Sequence, residues 1–175
     1  MNGVASAAMR QAGMTDDYRV NFGVELPRLA ALADECREGG AELAQALWKE
    51  SVRECRILAL MIYPAQEFDG EMADVWAESI RTVELAQLAA HYLFAHIKGA
   101  SDKGFEWIAA ESPLTQTLGY YTLIHVVRGR QLSERSADEL RDQIAVALQS
   151  DNMSLRQAAM RLSLEISEMD AETEE

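Results

Sequence analysis

The sequence predicts an all-α fold built from consecutive helix pairs, on three observations. Ala, Leu, Glu, Gln and Arg are abundant among the 175 residues, and these residue types favour helices. Alternation of Val, Ile and Thr, which is typical of strands, is nowhere sustained, and only three prolines interrupt the chain. A short motif returns several times along the chain at unequal intervals, which indicates a divergent repeat. With 49% hydrophobic residues, a chain of this length can bury a real core.

The first predicted helix begins near Pro27, because proline fits the first turn of a helix, where its missing N–H costs nothing. Helical spacing places Leu29, Leu32 and Ala33 on one face. Glycine commonly follows the last turn of a helix, so we expect this helix to end at Gly39.

A helix pair follows. We expect a short helix from about Glu42 to Trp48 and then a longer one, which Pro64 ends. Ser51 is predicted to cap the longer helix, with Glu54 at the capping-box position three residues on. The apolar residues of this helix are Ile57, Leu58, Met61 and Ile62.

The repeat is carried by Trp48, Trp76 and Trp107, each of which lies near the end of a predicted short helix and is soon followed by a serine. Successive tryptophans are 28 and 31 residues apart. A weaker fourth copy, Leu148-Gln-Ser150, precedes a helix from about 155 to 166. Unequal spacing of an aligned motif is typical of a divergent helical array, in which stacked neighbours share one core.

We therefore predict roughly four helix pairs that form a curved, right-handed α-solenoid. The predicted domain spans residues 1–168, and an acidic, frayed tail spans residues 169–175. The tryptophans are interpreted as packing anchors between helices. The alternative, a stacking platform for a nucleobase, requires that they be exposed.

Composition also limits the function. The formal net charge of −13 disfavours non-specific binding of a polyanion, although a local basic stripe remains compatible with it. The two cysteines, Cys36 and Cys55, are interpreted as buried, reduced residues of a cytoplasmic protein. The sequence shows no signal peptide and no apolar run long enough for a membrane span, so we expect no membrane partner.

Two stretches resemble the AlkD-type DNA alkylation repair proteins, a family of HEAT-like repeat alkylpurine DNA glycosylases. The family's FGV-x-x-P-x-L-x-x-LA opening is matched by Asn21-Phe22-Gly23-Val24, Pro27, Leu29 and Leu32-Ala33. Its next stretch, a Trp followed by an Arg-bearing helix, is matched by Leu47-Trp48, Glu54 and Arg56–Ala59. The resemblance runs from about residue 21 to about residue 168. It implies a C-shaped stack of HEAT-like helix pairs whose basic concave face holds duplex DNA.

In active members of that family, an Asp and two Trp that contact the deoxyribose support excision of alkylated purines. By this resemblance Val83 stands at the position of the first Trp and Gln87 at that of the catalytic carboxylate. Thr117 stands near a phosphate-contacting Arg, and Arg161 at the second Trp. The residues at the catalytic positions are thus replaced. A neutral amide at the position of the carboxylate cannot supply a full counter-charge to an oxocarbenium-like transition state. Glu84 is the nearest carboxylate in the sequence that could substitute.

The basic residues keep DNA open as a partner. They are predicted to lie early in the longer helices, which often line the concave face of a HEAT-like array, and local glutamates could neutralise them. The candidate concave-face residues are Arg53, Arg56, Arg81, Glu84, Gln87, Thr117, Arg156 and Arg161.

Other chemistry has weaker support. His91 and His96 are five residues apart rather than four, so no helical metal pair is predicted, and these two and His125 are interpreted as polar core or surface residues. No glycine-rich phosphate loop occurs, and we expect no cofactor.

The sequence predicts a catalytically degenerate relative of the glycosylases that acts as a non-enzymatic binding module for a protein or peptide in its concave groove. The alternative is a DNA alkylation repair protein that binds damaged or branched DNA, or a divergent glycosylase.

Overall fold

The helices follow one another along the chain in the predicted pairs. The computed structural model describes residues 18–129, 132 and 134–173. Three-residue 3₁₀ turns occur at Arg37–Gly39, Ala65–Glu67 and Phe94–His96. The α-helices are α1 (Leu26–Cys36), α2 (Gly40–Lys49), α3 (Arg53–Ile62), α4 (Gly70–Glu78), α5 (Val83–Tyr92), α6 (Ala100–Ile108), α7 (Pro113–Arg128), α8 (Glu134–Ala147) and α9 (Met153–Thr173). Within the described residues, helix α1 therefore precedes four helix pairs, α2–α3, α4–α5, α6–α7 and α8–α9, in agreement with the predicted all-α architecture of roughly four pairs.

The chain divides into two compact units, residues 1–68 and 69–175. In the first unit, α3 packs against both α1 and α2. In the second unit, α7 packs against α5, α6 and α9, and α8 packs against α9. Helix α7 is therefore the central helix of the second unit.

The three tryptophans are packing anchors, as predicted. Trp48, Trp76 and Trp107 are buried, with 7%, 4% and 5% of their surface exposed, so none of them offers a face on which a base could stack. The Trp107 indole Nε1 donates to Asp74 Oδ1 at 3.0 Å. This hydrogen bond ties the end of α6 to α4 and satisfies the polar atom of a buried ring.

The predicted capping box at the start of α3 is wrong. The N-cap is Val52, without a side-chain cap. Ser51 Oγ instead accepts from the backbone N–H of Arg19 at 3.2 Å. The Glu54 carboxylate accepts the backbone N–H groups of Phe22 at 3.2 Å and Val24 at 3.1 Å. Both side chains are engaged by the segment that precedes α1, so a tertiary contact outcompetes the local cap.

Three smaller expectations also change. Leu32, predicted on the core face of α1, is 41% exposed, whereas Leu29 and Ala33 are buried. Cys36 and Cys55 form no disulfide, but each is half-buried rather than buried. The stretch predicted to fray from residue 169 is helical through Thr173, and Asp170 Oδ2 accepts from Arg141 Nη2 at 2.5 Å. Because Arg141 belongs to α8, this ion pair fastens the last turns of α9 to its partner helix.

None of the described helices combines the length and the apolar character that crossing a bilayer requires.

Candidate functional site

The second helices of the last three pairs begin with a side-chain cap, and the N-cap positions of all four second helices define a common register. The N-caps of α5 and α7 are Thr82 and Ser112, whose hydroxyl oxygens accept backbone N–H groups three residues on. Asn152 does the same before α9, where its Oδ1 accepts from the N–H of Leu155 at 3.0 Å. With Val52 before α3, the N-caps recur every 30 residues and then after 40.

Most of the candidate arginines make structural hydrogen bonds. In each pair, the carbonyl two residues before the N-cap of the second helix accepts a side-chain N–H. The four contacts are Arg56 Nε to Glu50 O at 3.4 Å, Arg81 Nη1 to Ile80 O at 3.2 Å, Gln116 Nε2 to Ala110 O at 2.8 Å, and Arg156 Nη1 to Ser150 O at 2.5 Å. These side chains satisfy carbonyls in the turn after the first helix, where helix ends leave acceptors unpaired.

Two of the predicted concave-face residues are interior residues. Arg53 is 3% exposed; its Nη1 donates to Val24 O at 3.1 Å and lies 3.4 Å from Glu54 Oε1. Thr117 is fully buried, and its hydroxyl donates to Pro113 O at 2.7 Å. Their predicted place on an exposed binding face is therefore wrong, because sequence periodicity did not reveal that α3 and α7 are packed against neighbours at these positions.

Gln87 and Arg161 lie together in the second unit. They line one cavity of about 210 Å³ between α5, α7 and α9. The remaining lining residues are Leu88, His91, Tyr121, Ile124, His125 and Arg128. Val83 and Glu84 are half-buried in the first turn of α5 and are not among them.

The lining residues come from equivalent positions of three successive repeats. His91, Tyr121 and Arg161 each lie nine residues after the N-cap of their helix. Because α7 packs between α5 and α9, the three side chains form a column across the second unit. Sequence analysis missed Tyr121 and Arg128 altogether and did not assign His91 and His125 to a site. The repeated N-cap register was the signal that could have identified the column.

Hydrogen bonding orients the polar atoms of this cavity. The Gln87 amide Nε2 donates to the Tyr121 hydroxyl oxygen at 2.8 Å, so the phenol proton takes no part in this contact. The Arg128 guanidinium is ion-paired with Glu165 through Nη2 and Oε1. Arg161 is exposed and makes no hydrogen bond or ion pair with any of the described residues. It is thus available to an anionic ligand.

The electrostatics of the cavity disfavour additional positive charge on its walls. The pKa of His125 is lowered from 6.5 to about 4, first by burial of the ring and then by His91, Arg128 and His96, against an opposing effect of Glu165. The rings of His91 and His125 lie 5.0 Å apart. The guanidinium groups of Arg128 and Arg161 line the cavity, and that of Arg128 is ion-paired with Glu165. Among the described lining residues there is no carboxylate.

The described residues contain no group of three or more His, Cys, Asp or Glu side chains that could hold a metal ion.

The first unit has a separate groove. Its volume is about 810 Å³, and Phe22, which is 52% exposed, and Leu32 contribute apolar surface to it. Glu25, Glu35 and Arg28 also line it.

Comparison with known proteins identifies the family and the fold of this chain. The family model described as DNA alkylation repair enzyme matches residues 3–172. A solved structure from "a new family of proteins related to the HEAT-like repeat DNA glycosylases with affinity for branched DNA structures" matches with a TM-score of 0.78 and 14% identity, over 93% of this chain and 70% of that one. No curated protein sequence matches the chain significantly. The fold is thus the HEAT-like repeat that the sequence predicted, and the chain belongs to the DNA alkylation repair enzyme family.

Proposed function

We propose that this chain is a DNA-binding member of its family that does not excise bases, and that it contacts the sugar–phosphate backbone at the cavity around Gln87 and Arg161. The observation that carries the proposal is the composition of this cavity, in which the Gln87 amide, hydrogen-bonded to Tyr121, lies among arginines and histidines. Such a set of donors and cations suits a phosphate group.

The same composition disfavours glycosidic bond cleavage. Excision of an alkylated base builds positive charge on the sugar, and the family stabilises it with a carboxylate. Gln87 provides no negative charge, and the nearby guanidinium groups of Arg128 and Arg161 would repel an oxocarbenium-like sugar. Glu84 lies in the first turn of α5 and does not line the cavity. Binding without catalysis is therefore the function that this arrangement supports best.

We propose branched DNA as the preferred form. The structurally similar protein is described as having affinity for branched DNA structures, and its likeness to this chain is one of fold. A junction brings several backbones close together, so a few basic side chains can meet more phosphates there than on a straight duplex. The net charge of −13 favours such a local mode over an extended electrostatic footprint.

The test is fluorescence anisotropy with a labelled four-way junction and a duplex of the same sequence at low salt. We expect the junction to bind more tightly than the duplex and Arg161→Gln to weaken binding about tenfold. Arg37→Gln is the control, because it also removes an exposed positive charge, but in the first unit, where Arg37 pairs with Asp34. Equal binding by both variants and the original chain would reject the cavity as the contact site.

Catalysis is tested separately with DNA that carries N-methylated purines. We expect no excision by the chain or by Gln87→Asp, because Val83 and Arg161 still occupy the positions that the resemblance gives to the two tryptophans. Release of the methylated base by the unchanged chain would overturn the non-catalytic part of the proposal.

A protein or peptide partner is the second candidate, and the groove of the first unit favours it. Phe22 and Leu32 expose apolar surface there at 52% and 41%. If a displayed peptide library yields ligands that Leu32→Asp no longer binds, and no DNA binds even at low salt, this candidate replaces DNA. If Leu32→Asp still binds every selected peptide, the groove is rejected as the peptide-binding site.

A further inference from the structure

The cavity in the second unit contains more donors than a neutral ligand needs. Tyr121 is 6% exposed, and its hydroxyl oxygen already accepts from Gln87, so its proton is left to donate. Within the described residues that proton has no recorded acceptor, and Arg161 has no partner either. Two hydrogen-bond donors, on α7 and α9, therefore line the same cavity, and no described residue accepts from either of them. An oxyanion is the ligand that such donors recognise.

The cavity volume limits the ligand to a small group. About 210 Å³ is below the roughly 300–1,000 Å³ that is usual for whole drug-sized ligands. A nucleoside would not be enclosed, whereas a phosphate group with a few waters would be. The ligand is thus one end of a larger molecule, or a free ion.

Two guanidinium groups line the cavity and can donate to an anion. Arg161 supplies one unpartnered cation from α9, and Arg128 supplies a second from α7, shared with Glu165 of α9. A bound anion would oppose the lowering of the pKa of His125 on α7, because a nearby negative charge favours the protonated ring. His96 and Glu168 also contribute to the local field, the former on His125 and the latter on Arg128.

We propose that the Gln87 cavity is a binding site for a phosphate monoester dianion, and in particular for the terminal phosphate of a nucleic-acid strand. The proposal rests on the DNA-binding function proposed above and specifies the group that this cavity receives. A monoester has one substituent, which would extend out through the open side of the cavity. Its three remaining oxygens can accept hydrogen bonds from Tyr121, Arg161 and Arg128. An internal diester has two substituents and only one negative charge, so it meets fewer of these donors.

The first arm of the test uses inorganic phosphate alone. Calorimetric titration should show saturable binding, and Arg161→Gln should weaken it about tenfold or more, as removal of a charge-assisted hydrogen bond does. Tyr121→Phe should also weaken it, while Arg37→Gln should leave it unchanged. Circular dichroism of each variant establishes that it is folded. Absence of saturable phosphate binding by the unchanged chain overturns the proposal without recourse to any variant.

The second readout is the ionisation of His125, followed by NMR through the pH dependence of its ring signals. A phosphate in the cavity should raise the pKa of His125 above its value of about 4 in the free protein. A purely structural effect of Arg161 on folding would not produce a ligand-dependent rise. An unchanged pKa at saturating phosphate contradicts occupation of this cavity.

The third arm separates a strand end from a free ion. Junctions are compared with 5′-phosphate and with 5′-hydroxyl ends, at equal length and sequence. Tighter binding of the phosphorylated junction, lost in Arg161→Gln, assigns the site to strand ends. Equal binding of both junctions, together with saturable inorganic phosphate, rejects the strand end and leaves the free ion as the ligand.

The two proposals fail in different ways. If the junction binds but neither terminal nor inorganic phosphate has any effect, the phosphate site is wrong and DNA binding stands. If inorganic phosphate binds but no DNA does, the proposed DNA-binding function is wrong, and the cavity serves another phosphate-bearing molecule.

Discussion

At the scale of single residues, His125 shows how the second unit suppresses a charge. Its ring is half-buried in α7, close to His91 of α5 and to Arg128 one turn further along its own helix. Burial and these neighbours together lower its pKa from 6.5 to about 4. The neutral ring is therefore the native form over most of the pH range in which proteins are handled.

This shift makes the second unit sensitive to acid. A depressed pKa means that the unfolded chain binds more protons, so the free energy of unfolding falls as the pH drops from about 6.5 towards about 4. With allowance for partial solvent screening, we expect His125 to account for a loss on the order of 2 kcal/mol. Urea denaturation at several pH values measures it. His125→Gln should flatten the dependence in this window, and an unchanged slope would contradict the assignment.

In the first unit, Glu54 is an ionisable residue whose side-chain contacts matter for stability. Its carboxylate accepts the N–H groups of Phe22 and Val24 and lies beside the buried Arg53. We expect Glu54→Ala to lower the free energy of unfolding by about 3 kcal/mol or more, because it removes the acceptor of two backbone N–H groups and a carboxylate that lies beside a buried guanidinium. Glu50→Ala is the control: Glu50 is exposed, and its backbone carbonyl still receives Arg56. Equal losses in the two variants would show that Glu54 has no special structural role.

At the scale of helices, the contact between α6 and α7 depends on two glycines. A Cβ at Gly119 would lie 2.7 Å from Ile108 N and 2.9 Å from Gly104 O. Both of these atoms belong to the backbone of α6, so they cannot move aside as a side chain can. The two helices are therefore too close at this point to accommodate a Cβ at position 119.

Gly119→Ala should force these helices apart. We expect a loss of about 2 kcal/mol or more in the free energy of unfolding, measured by thermal or urea denaturation. Gly70→Ala is the matched control, because its Cβ would meet only the flexible end of Lys103, at 2.8 Å from Cε. A small effect of Gly119→Ala, comparable with that of Gly70→Ala, would mean that α6 and α7 adjust freely.

The helices themselves could be predicted, and the reason is local. Pro27, Gly39 and Pro64 limit helices by backbone chemistry that acts within a few residues. The capping box at Ser51 could not be excluded, because the residues that compete for it lie 30 or more positions away in the sequence. The interior location of Arg53 has the same origin.

The site was only partly visible in the sequence. The resemblance pointed to Gln87 and Arg161 as positions of interest, but nothing local to either residue indicates Tyr121, which meets Gln87 across 34 residues of sequence. That contact depends on how α5 packs against α7. Side-chain pairings between helices of this kind follow from packing and not from spacing along one helix.

At the scale of the whole chain, net charge sets the conditions for DNA binding. A charge of −13 opposes the approach of a polyanion, so any binding relies on a few phosphates at the basic cavity. With two or three phosphates neutralised, we expect a log–log slope of affinity against salt of about −2 to −3. Anisotropy titrations between low and moderate salt measure it. A much steeper slope would point to an extended basic surface instead.

Helix α7 has a consequence for the internal motions of the second unit. From Thr117 to Ile124 every side chain or Cα position is buried, and the hydroxyls of Thr117 and Thr122 are satisfied by carbonyls of their own helix. Its backbone amides are thus shielded on all sides, and no local fraying exposes those in the middle. In deuterated water they should be the last amides of the unit to exchange, at rates set by global opening, while the ends of α8 and α9 exchange through smaller, more frequent openings.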